Sequence, residues 1–112
     1  MTTATPAGLN SPQYVISDLT SASQQVTIEP QFQERCSRII IDNSLGTTSA
    51  FVVSGEASQT AVYPTSATAA SLGAIVGAGT VRTYAFNPKH KFVAAIRESG
   101  TADLPIKLAT GE

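Results

Sequence analysis

The last third of the chain carries the pattern that most restricts its fold. Residues 79–112 contain three short apolar runs, which are interrupted at Asn87-Pro88 and at Ser99-Gly100. The runs cover residues 81–86, residues 92–96 and the alternating set Leu104, Ile106 and Leu108. Short apolar runs separated by turn residues predict a three-stranded antiparallel meander. Three strands leave one apolar face uncovered, so we expect the preceding residues to form a second layer.

Alternation along these runs predicts which face is buried. Phe92 and Ile96 share one face of the second run, and Arg97 lies on the other. We assign the Phe92 face to the core, because a charged guanidinium favours contact with water. In the third run the alternating leucine and isoleucine side chains are expected to point inward and Lys107 outward. Pro105 lacks an amide hydrogen, which predicts that this run is an edge strand or begins near Pro105.

The residues before this region add further strand signals. Residues 35–43 include three consecutive isoleucines, which are β-branched and favour a strand, and residues 50–54 follow a turn around Gly46. Shorter pieces at residues 14–16, 25–28, 60–63 and 74–76 predict additional strands, while residues 66–72 predict a loop or a short helix. We therefore predict an all-β, single-domain antiparallel β-sandwich, jelly-roll or immunoglobulin-like, over residues 35–112.

Residues 1–34 are predicted to form an extended N-terminal arm. The first twelve residues are rich in threonine, alanine and proline, and the only charges in the arm are Asp18, Glu29 and Glu34. The arm alone has too little apolar surface to offset its ordering entropy. Three arrangements remain open: an edge strand of its own domain, an arm that is exchanged between subunits, and a disordered tail.

The composition favours a protein that works through contacts. Charged residues make up 13% of the chain, against roughly 25% in an average globular protein, and the net charge is −1. So little charge favours a surface that faces another protein, and an ordinary β surface rich in serine and threonine is the alternative. A net charge this close to zero gives no electrostatic basis for binding nucleic acid or an anionic membrane. We also expect no signal peptide and no spanning helix.

Residues with reactive side chains are few and scattered. The single cysteine, Cys36, excludes an internal disulfide, and we expect a buried core thiol in a reducing cytoplasm. His90, the only histidine, lies between two lysines, which predicts a solvated loop or a small basic contact with an acidic partner. A nucleophilic Cys36 would need His90 beside it, and no local motif supports that pair.

Other chemical patterns are equally weak. The carboxylates occur singly, so we predict no metal site and no catalytic pair, although Glu98 and Asp103 flank one turn. Gly77-Ala78-Gly79 lacks the rest of a dinucleotide-binding motif and predicts a tight turn. The tyrosines Tyr14, Tyr63 and Tyr84 are expected to pack in the core or an interface. We therefore predict no enzyme, no catalytic residues and no cofactor.

The order of the strand and turn segments carries a resemblance. Residues 42–48 (Asp-Asn-Ser-Leu-Gly-Thr-Thr) precede residues 50–55 (Ala-Phe-Val-Val-Ser-Gly), and residues 61–64, 79–81, 92–96, 99–102 and 111–112 follow. This order resembles small all-β structural proteins of tailed bacteriophages, which decorate capsids or lie at head and tail joints. The resemblance covers about residues 35–112 and implies no catalytic residues.

The resemblance and the composition together suggest a function. We expect a virion structural protein that binds the phage capsid surface and stabilises the shell as a decoration or cement protein. A neck, tail or fibre-base component is the alternative, and a carbohydrate-binding β-sandwich module is the second. The expected partner is the major capsid protein or another virion protein. The expected state is a homo-oligomer with a trimer favoured, located in the virion and assembled in the host cytoplasm.

Overall fold

The computed structural model describes residues 13–109, which form eight strands in two antiparallel sheets. A 3-10 turn, Pro30–Phe32, and a four-residue helix, α1 (Ala67–Ala70), are the helical elements of this region. The strands are β1 (Gln13–Leu19), β2 (Gln24–Thr27), β3 (Arg38–Asp42), β4 (Ala50–Gly55), β5 (Ala74–Val76), β6 (Val81–Ala85), β7 (Phe92–Arg97) and β8 (Ala102–Ala109). The predicted all-β sandwich is confirmed, whereas residues 60–63 do not form the predicted strand.

The strand order distinguishes between the two predicted topologies. One sheet has the order β1-β8-β3-β6 and the other β2-β7-β4-β5. The first strand therefore pairs with the last, the second with the seventh, the third with the sixth and the fourth with the fifth. A long antiparallel ribbon that is rolled into two sheets in this way is a jelly roll.

The predicted meander is wrong, although its three strands exist. β6, β7 and β8 form where the apolar runs predicted them, but β7 belongs to the opposite sheet from β6 and β8. The chain crosses from one sheet to the other at both turn signals. Alternation of apolar residues predicts a strand but does not show which strand it pairs with. β8 is also central rather than an edge strand. Its pairing with β3 ends at Ile106, so Pro105, with no amide hydrogen, lies just past that ladder.

The main core lies between the two sheets. Leu104, Ile106 and Leu108 of β8 are at most 1% exposed, which confirms their predicted inward orientation. From the opposite sheet, Val93 and Ala95 of β7 join this cluster. The predicted core face of β7 was therefore the wrong one for the main core, since the Val93 face, and not the Phe92 face, meets the other sheet.

The outer face of β7 is nevertheless covered. Ala94 and Ile96 pack there against Phe51 and Ala61 in a second, smaller cluster. The cover is a loop, residues 56–66, which we call the covering segment. Because this loop hides one face and the other sheet hides the opposite one, the residues from Val93 to the end of β7 are buried irrespective of alternation.

Polar contacts attach the covering segment to β2. The side-chain oxygen Oε1 of Gln25 accepts hydrogen bonds from the Ser58 hydroxyl at 3.1 Å and from the Gln59 N–H at 2.5 Å. The hydroxyl oxygen of Ser23 accepts one from the Ala61 N–H at 2.8 Å. Two of these bonds satisfy the backbone N–H groups of Gln59 and Ala61, in a segment that pairs with no strand. A loop can lie against a sheet when its backbone groups are satisfied in this way.

A buried arginine connects the loops at one end of the sandwich. Arg97 is only 1% exposed. Its Nε donates to the Leu19 carbonyl at 3.2 Å, Nη1 donates to Asn43 Oδ1 at 2.9 Å and to the Thr48 carbonyl at 3.1 Å, and Nη2 donates to the Ala102 carbonyl at 3.3 Å. These bonds occupy four of the five guanidinium hydrogens. The prediction that Arg97 seeks water is wrong, because carbonyl oxygens replace the water.

Asn43 extends this network to the fourth loop. It is 0% exposed, and its Nδ2 lies 3.0 Å from the carbonyls of Thr48 and Val76 and 3.1 Å from that of Gly77. The loops after β1, β3, β5 and β7 are thus held together by two side chains. We call these two residues, Arg97 and Asn43, the loop network. Burial of Arg97 lowers the pKa of its guanidinium from its usual value.

The region predicted as an arm contributes to both sheets. β1 pairs with β8 and β2 pairs with β7, so residues 13–27 lie within the sandwich. Of the three open arrangements, packing on its own domain therefore describes these residues. Residues 1–12 and 110–112 lie outside the part of the chain that the structure describes. The predicted exchange of residues 1–12 between subunits therefore concerns residues outside that part.

Candidate functional site: an open edge at β5 and β6

A groove opens between the two sheets where β5 and β6 form their edges. Its volume is about 240 Å³. β5 pairs with β4 only from Ala50 to Val52, so Val53 and Ser54 have no strand beside them on that side. The short β5 thus leaves the inter-sheet space open. The groove is lined mainly by apolar side chains, among them Ile39, Ile41, Val52, Leu72, Tyr84 and Phe86.

The edge of β6 beside this groove has unpaired backbone groups. At its two ends, the Asn43 N–H donates to the Thr80 carbonyl at 2.8 Å and the Phe86 N–H donates to the Ser37 carbonyl at 2.7 Å. Antiparallel ladders alternate every residue, so these two bonds establish which groups of β6 face β3. Three residues of β6 direct their N–H and C=O groups to the open side: Val81, Thr83 and Ala85.

The other three sheet edges are less able to accept a strand. β5 has three residues and β2 has four. β1 is longer, but its register shifts between Ile16 and Leu19, where Asp18 has a φ of 51°. β6 keeps a regular five-residue register with β3 and contains no proline or bulge. Short strands, bulges and prolines are the usual protections of an edge, so β6 is the least protected edge of this sandwich.

Exposed apolar side chains continue this surface. Leu72 is 77% exposed and Val62 is 72% exposed. Both line a second depression of about 410 Å³ on the outer face of β4, together with Phe51, Val53 and Tyr63. Leu72 and Val53 border the groove and this depression alike. A contiguous apolar area of this kind marks a contact surface more often than isolated exposed side chains do.

His90 lies at the rim of the groove and not in a free loop. Its Nδ1 is 2.6 Å from the Ser54 hydroxyl oxygen, and its ring meets Phe86 edge to face with centroids 6.0 Å apart. A serine and a histidine within hydrogen-bond distance are two parts of a nucleophilic site, whose third part is a carboxylate that orients the ring. The pair fastens the β6–β7 loop to β4. Sequence reasoning missed it because 36 residues separate the partners.

The remaining candidates for chemistry stay apart. Cys36 is 4% exposed, and burial raises the pKa of its thiol, which disfavours the nucleophilic thiolate. Asp103 Oδ1 accepts a hydrogen bond from the Asp18 N–H at 2.9 Å. Among residues 13–109, no three histidine, cysteine or acidic residues cluster as metal ligands. Within the same range, no helix is long and apolar enough to cross a bilayer.

The tyrosines and the glycine turn have structural contacts. Tyr14 and Tyr84 pack against the main core, while Tyr63 meets Phe51 on the outer face of the other sheet, so the three lie on different parts of the sandwich. Gly79 has a φ of 72°, and the Thr80 N–H bonds to the Gly77 carbonyl at 3.3 Å, which makes a tight turn. That turn precedes β6 and not a helix.

Alkaline pH is expected to destabilise the fold. Burial raises the pKa of the Cys36 thiol and of the Tyr14 phenol, so the folded chain retains protons that the unfolded chain releases. Their contribution is complete below ordinary pKa values of about 8.5 and about 10, and it is lost as the pH rises through the raised values. Urea unfolding followed by circular dichroism should show the loss, and Cys36→Ser should remove its lower-pH part. A constant free energy of unfolding from about pH 7 to about pH 10.5 would contradict this expectation.

Comparisons with known proteins agree on the fold. No protein-family model and no curated protein matches the sequence. A similar solved structure comes from work on Bacillus endospore appendages, which are described there as a novel family of disulfide-linked pili. The two chains superpose with a TM-score of 0.51 over 99% of each, at 10% sequence identity. Similarity at this identity shows the shared β-sandwich fold alone.

Proposed function

We propose that this chain is a non-enzymatic structural protein of a virion, which binds the capsid surface and stabilises the shell as a decoration or cement protein. The observation that carries the proposal is the open edge of β6 beside an apolar groove, on a chain with little charge. Such an edge offers backbone hydrogen bonds and a site for apolar side chains to a protein partner. The sequence resemblance to phage structural proteins supplies the virion setting.

Energetics favour a role in which many copies act together. Apolar burial contributes roughly 25 cal/mol per Å² before the costs of association, so a small groove yields only a modest contact. Repeated copies on a lattice multiply a modest contact through avidity. The proposal accordingly includes self-association, with a trimer on a local symmetry axis as the favoured form. A neck, tail or fibre-base position would use the same contacts at lower copy number.

A filament subunit is a second candidate, and the structural similarity favours it. The similar solved structure is described as a disulfide-linked pilus and matches this chain over 99% of its length. Here Cys36 is the single cysteine and is 4% exposed. A filament of this chain would therefore be held by non-covalent contacts. Its assembly should withstand reducing agents and the substitution Cys36→Ser.

The two candidates differ in where the chain is found and in how many copies. We expect immunogold labelling of particles from cells that make the chain to cover capsid shells evenly. Label confined to one vertex would place the chain at a neck or tail, and label along thin filaments would favour the second candidate. A purified chain that labels no particle and binds glycans as a monomer would overturn both in favour of the carbohydrate-binding alternative.

A further inference from the structure

We propose that the β6 edge and the adjoining groove accept residues 1–12 of a second copy of this chain, with Leu9 seated in the groove. This inference rests on the proposed assembly function and specifies its contact. The edge and the groove are independent features of the same side of the sandwich. The first offers hydrogen bonds to a backbone, and the second offers space for alternate side chains of an added strand.

The backbone of β6 sets the length of strand that fits. Its outward groups belong to Val81, Thr83 and Ala85, so an added strand of about five residues completes the ladder. Residues 7–11 of the chain (Ala-Gly-Leu-Asn-Ser) lie between Pro6 and Pro12. Prolines interrupt ladder pairing, which limits the pairing stretch to these five residues. The two lengths agree.

The apolar lining of the groove favours one side chain of residues 7–11. It is walled by Ile39, Ile41 and Val52 and is bordered by Tyr84 and Phe86. Leu9 is the only large apolar residue between Thr2 and Pro12, and it occupies the centre of the five-residue stretch. Its neighbours on the same face, Ala7 and Ser11, are small enough for the groove's ends. The segment carries no charged side chain, so its burial desolvates none.

Geometry favours a second copy over the same copy. Gln13 begins β1, which lies at the opposite edge of the same sheet from β6. A strand added outside β6 lies four spacings of about 4.8 Å, about 19 Å in all, from β1, whereas the four residues from Gln13 to Leu9 span at most about 14 Å. Leu9 of the same copy therefore falls short of a position beside β6. A donor at one edge and an acceptor at the other make a head-to-tail contact that repeats from copy to copy.

Matched substitutions of the full-length chain test this contact. Thr83→Pro removes the central outward N–H of β6 without touching the β3 ladder, and Thr83→Ala retains it. Leu9→Asp places a charge in the groove, and Asn10→Asp adds the same charge on the opposite face. Light scattering with size-exclusion chromatography should show self-association about tenfold weaker for the first member of each pair, as expected for a lost central anchor. The second members should behave as the unsubstituted chain.

Each alternative result has a definite meaning. If Thr83→Pro unfolds the sandwich, Leu9→Asp still tests the contact, because position 9 precedes β1 and changes no residue of the described strands. Self-association that withstands both substitutions would overturn this contact while leaving the proposed assembly function intact. A photo-crosslinker at position 9 that reacts only within its own copy would also overturn it. A chain that stays monomeric and labels no particle would overturn both the contact and the proposed function.

Discussion

Replacing Arg97 with methionine should lower the free energy of unfolding by about 3 kcal/mol. The substitution removes the hydrogen-bond donor from four oxygens, which are the carbonyls of Leu19, Thr48 and Ala102 and Oδ1 of Asn43. A buried acceptor that is left without its donor costs about 1–3 kcal/mol. Removing a buried charge recovers part of this, because its desolvation penalty disappears. Urea unfolding followed by circular dichroism measures the difference.

Two substitutions control for this result. Arg97→Lys keeps the charge but replaces the planar fork by one compact head, so it should also destabilise the chain, by about 2 kcal/mol. Arg82→Met removes an exposed arginine and should change the free energy by less than about 0.5 kcal/mol. If Arg97→Met unfolded at the same urea concentration as the unsubstituted chain, the loop network would contribute nothing to stability.

Alanine at position 46 should be nearly as damaging, by about 2–3 kcal/mol. A Cβ atom on Gly46 would overlap the guanidinium of Arg97 and the side-chain oxygen of Asn43. The φ of Gly46 is not in the left-handed region, so the expected loss comes from this overlap and not from backbone strain. Gly77→Ala is the matched control at the same end, because its Cβ would meet only Thr80 Oγ1, at 3.9 Å.

A double-mutant cycle identifies the cause. Residues that share a partner have non-additive effects. In the background of Arg97→Ala the overlap with the guanidinium is gone, so Gly46→Ala should cost clearly less than in the unsubstituted chain. Equal costs in the two backgrounds would show that Gly46 is required for a reason unrelated to Arg97. Unfolding in urea gives all four free energies of the cycle.

The open edge is the part of the candidate site that was hardest to anticipate. Alternating apolar residues predicted β6 as a strand, and the low charge predicted a contact surface. The short strand at residues 74–76 was predicted, but its position beside β4 and the groove that it leaves open were not, because pairing depends on residues far apart in the chain. The Ser54–His90 contact joins β4 to the β6–β7 loop, and only the rolled sheets bring these two together.

The sequence by itself determined where most of the strands and turns lie, and its single cysteine excludes a disulfide within the chain. These depend on local preference: β-branched runs favour extended backbone, and glycine and proline interrupt it. The tertiary structure alone decided which strands pair, which face of β7 meets the other sheet and that Arg97 is buried. Pairing and burial depend on groups far apart in the chain, and the carbonyls that replace water around Arg97 come from the end of β1, the β3–β4 loop and the start of β8.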